Sequence, residues 1–210
     1  MELHERKTVF KELLRDAAGA RRGYGDFVEW LDSTDFFTAP ASTKYHGASE
    51  GMLCQHSLNV KHRMDTRKAE YIALGGRPES ADIAALLHDV CKTSRYRAKA
   101  SGGYEYADGD GLPIGHGERS VILIQRFMTL TTEEIVAIRW HMGAFDDAFR
   151  GGANRELSSA FKKYPLALML HLSDMEALYL DEAENAPAHF ARATGEDAGN
   201  AASGVLLPAM

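Results

Sequence analysis

The chain has 210 residues, 45% of them hydrophobic and 26% charged, with a formal net charge of −6. This is ordinary globular composition, long enough to bury a real core in a single domain spanning residues 1–210. The acidic balance argues against a large electrostatic footprint for duplex DNA, while leaving room for a small phosphorylated ligand held by a local patch or a metal.

No apolar run reaches membrane-spanning length, and the opening "MELHERKTVF" is too charged for a signal peptide. The two cysteines, Cys54 and Cys91, form no CxxC pair. A reducing, cytoplasmic setting without membrane partners is therefore expected.

In chain order, Leu3–Ala18 and Tyr24–Leu31 read as two N-terminal helices within residues 1–35, separated by "GARRGYG". They could pack against a partner, a second copy of the chain included. Residues from about Ser49 to Leu74 read as one long helix ending at Gly75-Gly76. Pro78 starts the next helix. The helical period fails between Arg95 and Pro113, where two Tyr-bearing segments around Gly102-Gly103 predict a β-hairpin over about 95–107. "DGDGLP" lacks the remaining oxygen ligands of a calcium loop and reads as a turn before His116. Helices follow over about His116–Thr129, Thr132–His141, Arg155–Lys163 and from Pro165 onward. The tail after about Ala191 is Ala/Gly-rich and reads as flexible. The fold class is all-α with one small hairpin.

Six polar residues stand where apolar ones are expected. His56 lies on the stripe Met52, Leu53, Val60, Met64. His88 and Asp89 close the segment "IAALLHDV", which has almost no polar face and so belongs inside the protein. His116 opens a helix whose face continues through Ser120 and Leu123, and His141 ends one on the face of Ala137 and Ile138. Asp174 interrupts the stripe Leu166, Ala167, Leu170, Ala177, Leu178. A single buried histidine is commonly just a satisfied core residue, and a single buried aspartate can pair with an arginine. Six on five helices each need a partner, and a shared metal supplies it for all.

The order His56 … His88-Asp89 … His116 … His141 … Asp174 resembles the HD-domain metal-dependent phosphohydrolases, over roughly residues 44–182. "GMLCQHSLNV" and "HDVCK" are similar to that family's usual surroundings of the motif. The two further histidines resemble its two-metal branch. The resemblance implies an HD-domain helical bundle. It implies a first ion held by His56, His88, Asp89 and Asp174, and a second held by His116 and His141, with Asp89 bridging. The cofactor implied is one or two divalent ions of iron, manganese, nickel, zinc or magnesium.

The activity implied is hydrolysis of a phosphate ester, in a nucleotide or short oligonucleotide, by metal-activated water. Asp89 and Lys92 are the catalytic candidates, with Lys92 holding a phosphate oxygen as the matching lysine does in similar HDxxK proteins. Arg95 and His46 are candidates for substrate contact, and His171 for a hydrogen bond to a metal ligand. Departures narrow the reading: "MGAFDDAF" follows His141 where enzymes cleaving cyclic di-GMP carry a Gly-Tyr-Pro signature. Two alternatives use the same residues: an HD-type di-iron oxygenase acting on a small organic substrate, and a non-catalytic metal-binding helical module.

Cys54 and Cys91 each lie two residues from a proposed ligand, which along a helix is the wrong face for ligation. Both read as small buried hydrophobes. Arg97 reads as solvated on the hairpin, and His4, His62 and His189 as surface residues.

Overall fold

A computed structural model of the chain describes residues 1–43, 47–107 and 114–182. His46, the turn 108–113, His189 and the tail 191–210 lie outside the described residues. No helix among the described residues is long and apolar enough to cross a membrane.

The helix with almost no polar face occupies the centre. α5 (Pro78–Leu87) starts with Pro at its first turn, where a missing N–H is harmless, and buries Ala81, Ile83, Ala84, Ala85, Leu86 and Leu87. Most of its contacts are with α1 (Leu3–Ala18), α3 (Met52–Asp65), α7 (Thr132–Trp140) and α10 (Pro165–Glu176). Each buried Leu or Ile contributes about 1.5–3 kcal/mol. This packing offsets part of the desolvation of the polar groups placed at α5's end.

The N-terminal helices belong to the same core. α1 buries Phe10, Leu14 and Ala18, and α2 (Tyr24–Ser33) buries Phe27 and Leu31. Glu134, fully buried, locks them in place. Its carboxylate accepts from Arg21 at 2.6 and 2.7 Å, from Ser80 Oγ at 2.7 Å and from the Thr131 N–H at 2.9 Å. The last of these bonds completes a capping box at the start of α7.

The expected helix over Ser49–Leu74 is two helices, α3 and α4 (Lys68–Ala73). The Thr66 hydroxyl bonds back to the Arg63 carbonyl at 2.7 Å, and the N–H groups of Thr66 and Arg67 reach only three residues back. This local competition tightens and ends the first helix. A hairpin of β1 (Tyr96–Ala98) and β2 (Tyr104–Tyr106) follows α5, antiparallel with Tyr96 opposite Tyr106.

α6 (His116–Gln125) ends one turn before the expected Thr129. That places Phe127 against Trp30, with ring centroids 5.4 Å apart, and buries Met128. α8 (Asp147–Arg150) and α9 (Asn154–Lys163) lead into α10. α10 does not continue regularly: a π turn over Ala177–Asp181 extends it, held by Arg63 on Asp181 and Arg67 on Glu176.

Candidate metal centre

Two helices end at the same point in the same way. His88 caps α5 and His141 caps α7, each in helical conformation. Each donates its Nδ1–H to a carbonyl three residues back: His88 to Ala85 at 2.9 Å and His141 to Ile138 at 2.7 Å. These are the carbonyls a helix leaves unpaired at its C-terminus. The bond also settles the tautomer, because a carbonyl only accepts. Nε2 of each ring is directed inward, where the neutral ring offers its lone pair.

His56 on α3 faces this pair. Its Nε2 lies 3.2 Å from His88 Nε2 and 3.1 Å from Asp174 Oδ1 on α10. His116 opens α6 and meets Asp89 Oδ1 at 2.6 Å. Gly117 makes that approach feasible: a Cβ there would stand 2.2 Å from the Arg139 carbonyl oxygen, so only glycine lets α6 press against the end of α7. The His116 and His141 rings are consequently 5.2 Å apart.

Asp89 lies between the two groups. Its Oδ1 faces His116 at 2.6 Å and His141 Nε2 at 3.5 Å. Its Oδ2 faces His88 Nε2 at 3.5 Å, His56 Nε2 at 3.6 Å and Lys92 Nζ at 2.6 Å. All six sequence-nominated residues therefore converge, and His56, His88, Asp89, His141 and Asp174 are buried. Donor atoms group within 4.8 Å as His56–His88–Asp174, His88–Asp89–His141 and Asp89–Cys91–His116.

The electrostatics are compatible with a bound cation. Burial holds the His88 imidazole neutral, pushing its pKa down to about 3, which is the form a metal accepts. Burial alone would depress His56 too, but hydrogen bonds to Asp174 and Glu182 outweigh it and raise it to about 10. His116 is likewise lifted to about 10, against burial, by Cys91 and Asp89. Asp89 is held well below the usual carboxylate range, against its own burial, by Lys92 and the neighbouring histidines. His141 Nε2 is the clearest sign: it is buried, it has no hydrogen-bond partner, and it points at a carboxylate oxygen. A buried ring nitrogen facing a carboxylate oxygen calls for positive charge between them, a proton or a metal ion. The donor set of imidazoles and carboxylates fits a divalent transition metal.

Two participants escaped the sequence reading. Glu182 Oε1 accepts from His56 Nδ1 at 2.9 Å and from Asn59 Nδ2 at 2.8 Å. At about 100° per residue, a regular helix would turn Glu182 about 80° away from Asp174. The π turn takes up that offset and brings both carboxylates to His56. The second is Cys91, whose Sγ lies 3.2 Å from His116 Nδ1 and 3.7 Å from Nε2. The wrong-face argument fails because α5 has already ended. Asp89 leaves helical geometry (φ −107°, ψ 13°), and a 3₁₀ turn over Val90–Lys92 carries Cys91 back to the site. The Cys91 N–H also bonds Ser120 Oγ on α6 at 3.1 Å. Cys54 remains a core residue, with burial raising its thiol to about 12.

Beside the centre, a cleft of about 630 Å³ is lined by Lys92, Arg95, Tyr96, Tyr106 and His116 among others. Lys92 stays charged through Asp89, whereas Arg97 pairs with Glu105 across the hairpin at 2.6 Å. His171 bonds the backbone carbonyl of His141 at 2.7 Å and stacks on Phe161, touching the backbone of His141 rather than its ring. His4 and His62 are exposed.

Comparison with protein-family models, curated proteins and solved structures finds no match.

Proposed function

We propose that this chain is a metal-dependent phosphohydrolase of the HD-domain type, acting on a phosphate ester of a nucleotide or short oligonucleotide. One observation carries the reading. The Asp89 carboxylate divides its two oxygens between His116/His141 and His56/His88, as a group shared by two cations would, and it does so at the edge of a cleft whose wall carries Lys92 and Arg95. Bound divalent ions would supply Lewis acidity and lower the pKa of water toward neutrality.

The chain's own residues supply the rest. His56, His88, Asp89 and Asp174 would hold one ion, and His116, His141 and the other Asp89 oxygen a second. Lys92, with its ammonium already at the cleft wall, neutralises charge developing on the phosphoryl oxygens. Arg95 adds a second cation to the same wall, and the Tyr96–Tyr106 pair, with centroids 5.4 Å apart, offers an aromatic rim for a base.

The test uses full-length protein stripped of metal and reloaded with Mn²⁺, Fe²⁺ or Mg²⁺, assayed on a panel of phosphomonoesters and phosphodiesters. Release of phosphate or mononucleotide that depends on added metal is the expected result. Turnover with redox-inert Mg²⁺ separates hydrolysis from oxygen chemistry on the same ligands. No turnover by any metal form across the panel would overturn the proposal.

A further inference from the structure

The second metal position, on the His116 side of Asp89, has a feature that the hydrolase reading leaves unused. Cys91 Sγ, Asp89 Oδ1 and a His116 ring nitrogen form one group of donors within 4.8 Å. His141 Nε2, buried and without a hydrogen-bond partner, is aimed at the same Asp89 oxygen from 3.5 Å. Cys91 is 2% exposed, and its place is determined by the backbone: the 3₁₀ turn at Val90–Lys92 and the bond from its N–H to Ser120. It also forms part of the cleft wall, so an ion entering by the cleft passes the sulfur.

We infer that Cys91 is a thiolate ligand of the second metal position, beside Asp89 and His116, with His141 facing the same Asp89 oxygen. This rests on the metal centre described above. It does not depend on the phosphoester chemistry. On binding, the S–H bond breaks, the sulfur electron pair goes to the metal, and the proton leaves to solvent. A mixed sulfur, nitrogen and oxygen donor set suits zinc, iron or cobalt, whereas magnesium prefers an all-oxygen shell. The two positions therefore differ in kind. The His56–His88–Asp174 side offers only nitrogen and oxygen, and the Cys91 side selects thiophilic ions.

Cobalt(II) is the probe. Metal-stripped full-length protein is titrated with Co²⁺ while the near-ultraviolet sulfur-to-cobalt charge-transfer absorption is recorded. Wild type, Cys91→Ser, Cys91→Ala and Cys54→Ala are compared, and bound cobalt is counted by elemental analysis. The expected result is a sulfur band in wild type and Cys54→Ala, absent in both Cys91 variants. The second cobalt should bind Cys91→Ser at least about tenfold more weakly, the lower end of what even an outer-shell substitution removes.

Because the chain has only two cysteines, a sulfur band that survives in Cys54→Ala decides the matter if the Cys91 variants fail to fold. Two cobalt ions bound with no sulfur band, or a band that survives in Cys91→Ala, would overturn the inference. A protein that binds no cobalt would overturn the metal centre with it. A sulfur band in a protein inert toward every phosphoester would sink only the hydrolase reading.

Discussion

Glu182 reaches across 126 positions of sequence to place a carboxylate oxygen 2.9 Å from His56 Nδ1. That bond orients the ring and raises its basicity, with the opposite nitrogen directed at His88 and Asp174.

Replacing Glu182 with Ala should weaken binding of the first metal ion on the order of 10–100-fold while the protein stays folded. Glu182→Gln keeps an acceptor for the His56 N–H and should lose less. Competition titration against a chromogenic chelator, with circular dichroism as the folding control, checks both.

Lys92→Ala should separate chemistry from metal binding. Bound metal per chain stays at the wild-type level, because the ions themselves compensate Asp89. Phosphoester turnover falls about 10²–10³-fold, the loss typical when a group stabilising developing anionic charge is removed. Elemental analysis beside single-turnover kinetics tests this, and an unchanged rate would place Lys92 outside the chemistry.

Gly117→Ala pushes a methyl group against the Arg139 carbonyl, 2.2 Å from where its Cβ would be built. The α6–α7 contact must open, destabilising the fold by about 1–3 kcal/mol. Because His116 and His141 are carried by those two helices, the second metal position should be lost before the first. Denaturant melts and a stoichiometric metal count in the same variant would show it.

Glu134 makes a prediction for acid stability. Burial would raise its pKa, but Arg21, Ser80 and the Thr131 N–H outweigh this and hold it below the ordinary value of 4.5. A depressed folded-state pKa means the contribution is fully present above pH 4.5 and is lost as pH falls from there through the folded value. Glu134→Gln should therefore flatten the stability-versus-pH curve below pH 4.5. Arg21→Ala, which leaves the buried carboxylate without its charged partner, should cost about 3–5 kcal/mol near neutrality. Urea melts from pH 3 to pH 7 provide the measurement.

The residue pattern alone determined most of the elements and all six converging side chains. Hydrophobic periodicity places α1 and α10, because burial of one face demands a repeat near 3.6 residues, and an unbroken apolar run after Pro78 places α5. The same demand makes His56, His88, Asp89, His116, His141 and Asp174 visible, as polar groups where burial disfavours them.

Tertiary structure decided what depends on departures from that repeat. The break at Thr66–Arg67 and the 3₁₀ turn that returns Cys91 to His116 depend on hydrogen bonds, within one turn and across to Ser120, that a uniform helical period does not encode. The π turn hides Glu182 for the same reason, since reading at about 100° per residue points it away from His56. How Asp89 shares its oxygens is likewise invisible along the chain. It depends on Gly117 letting two helix ends approach, and such an approach is a property of packed backbones in three dimensions.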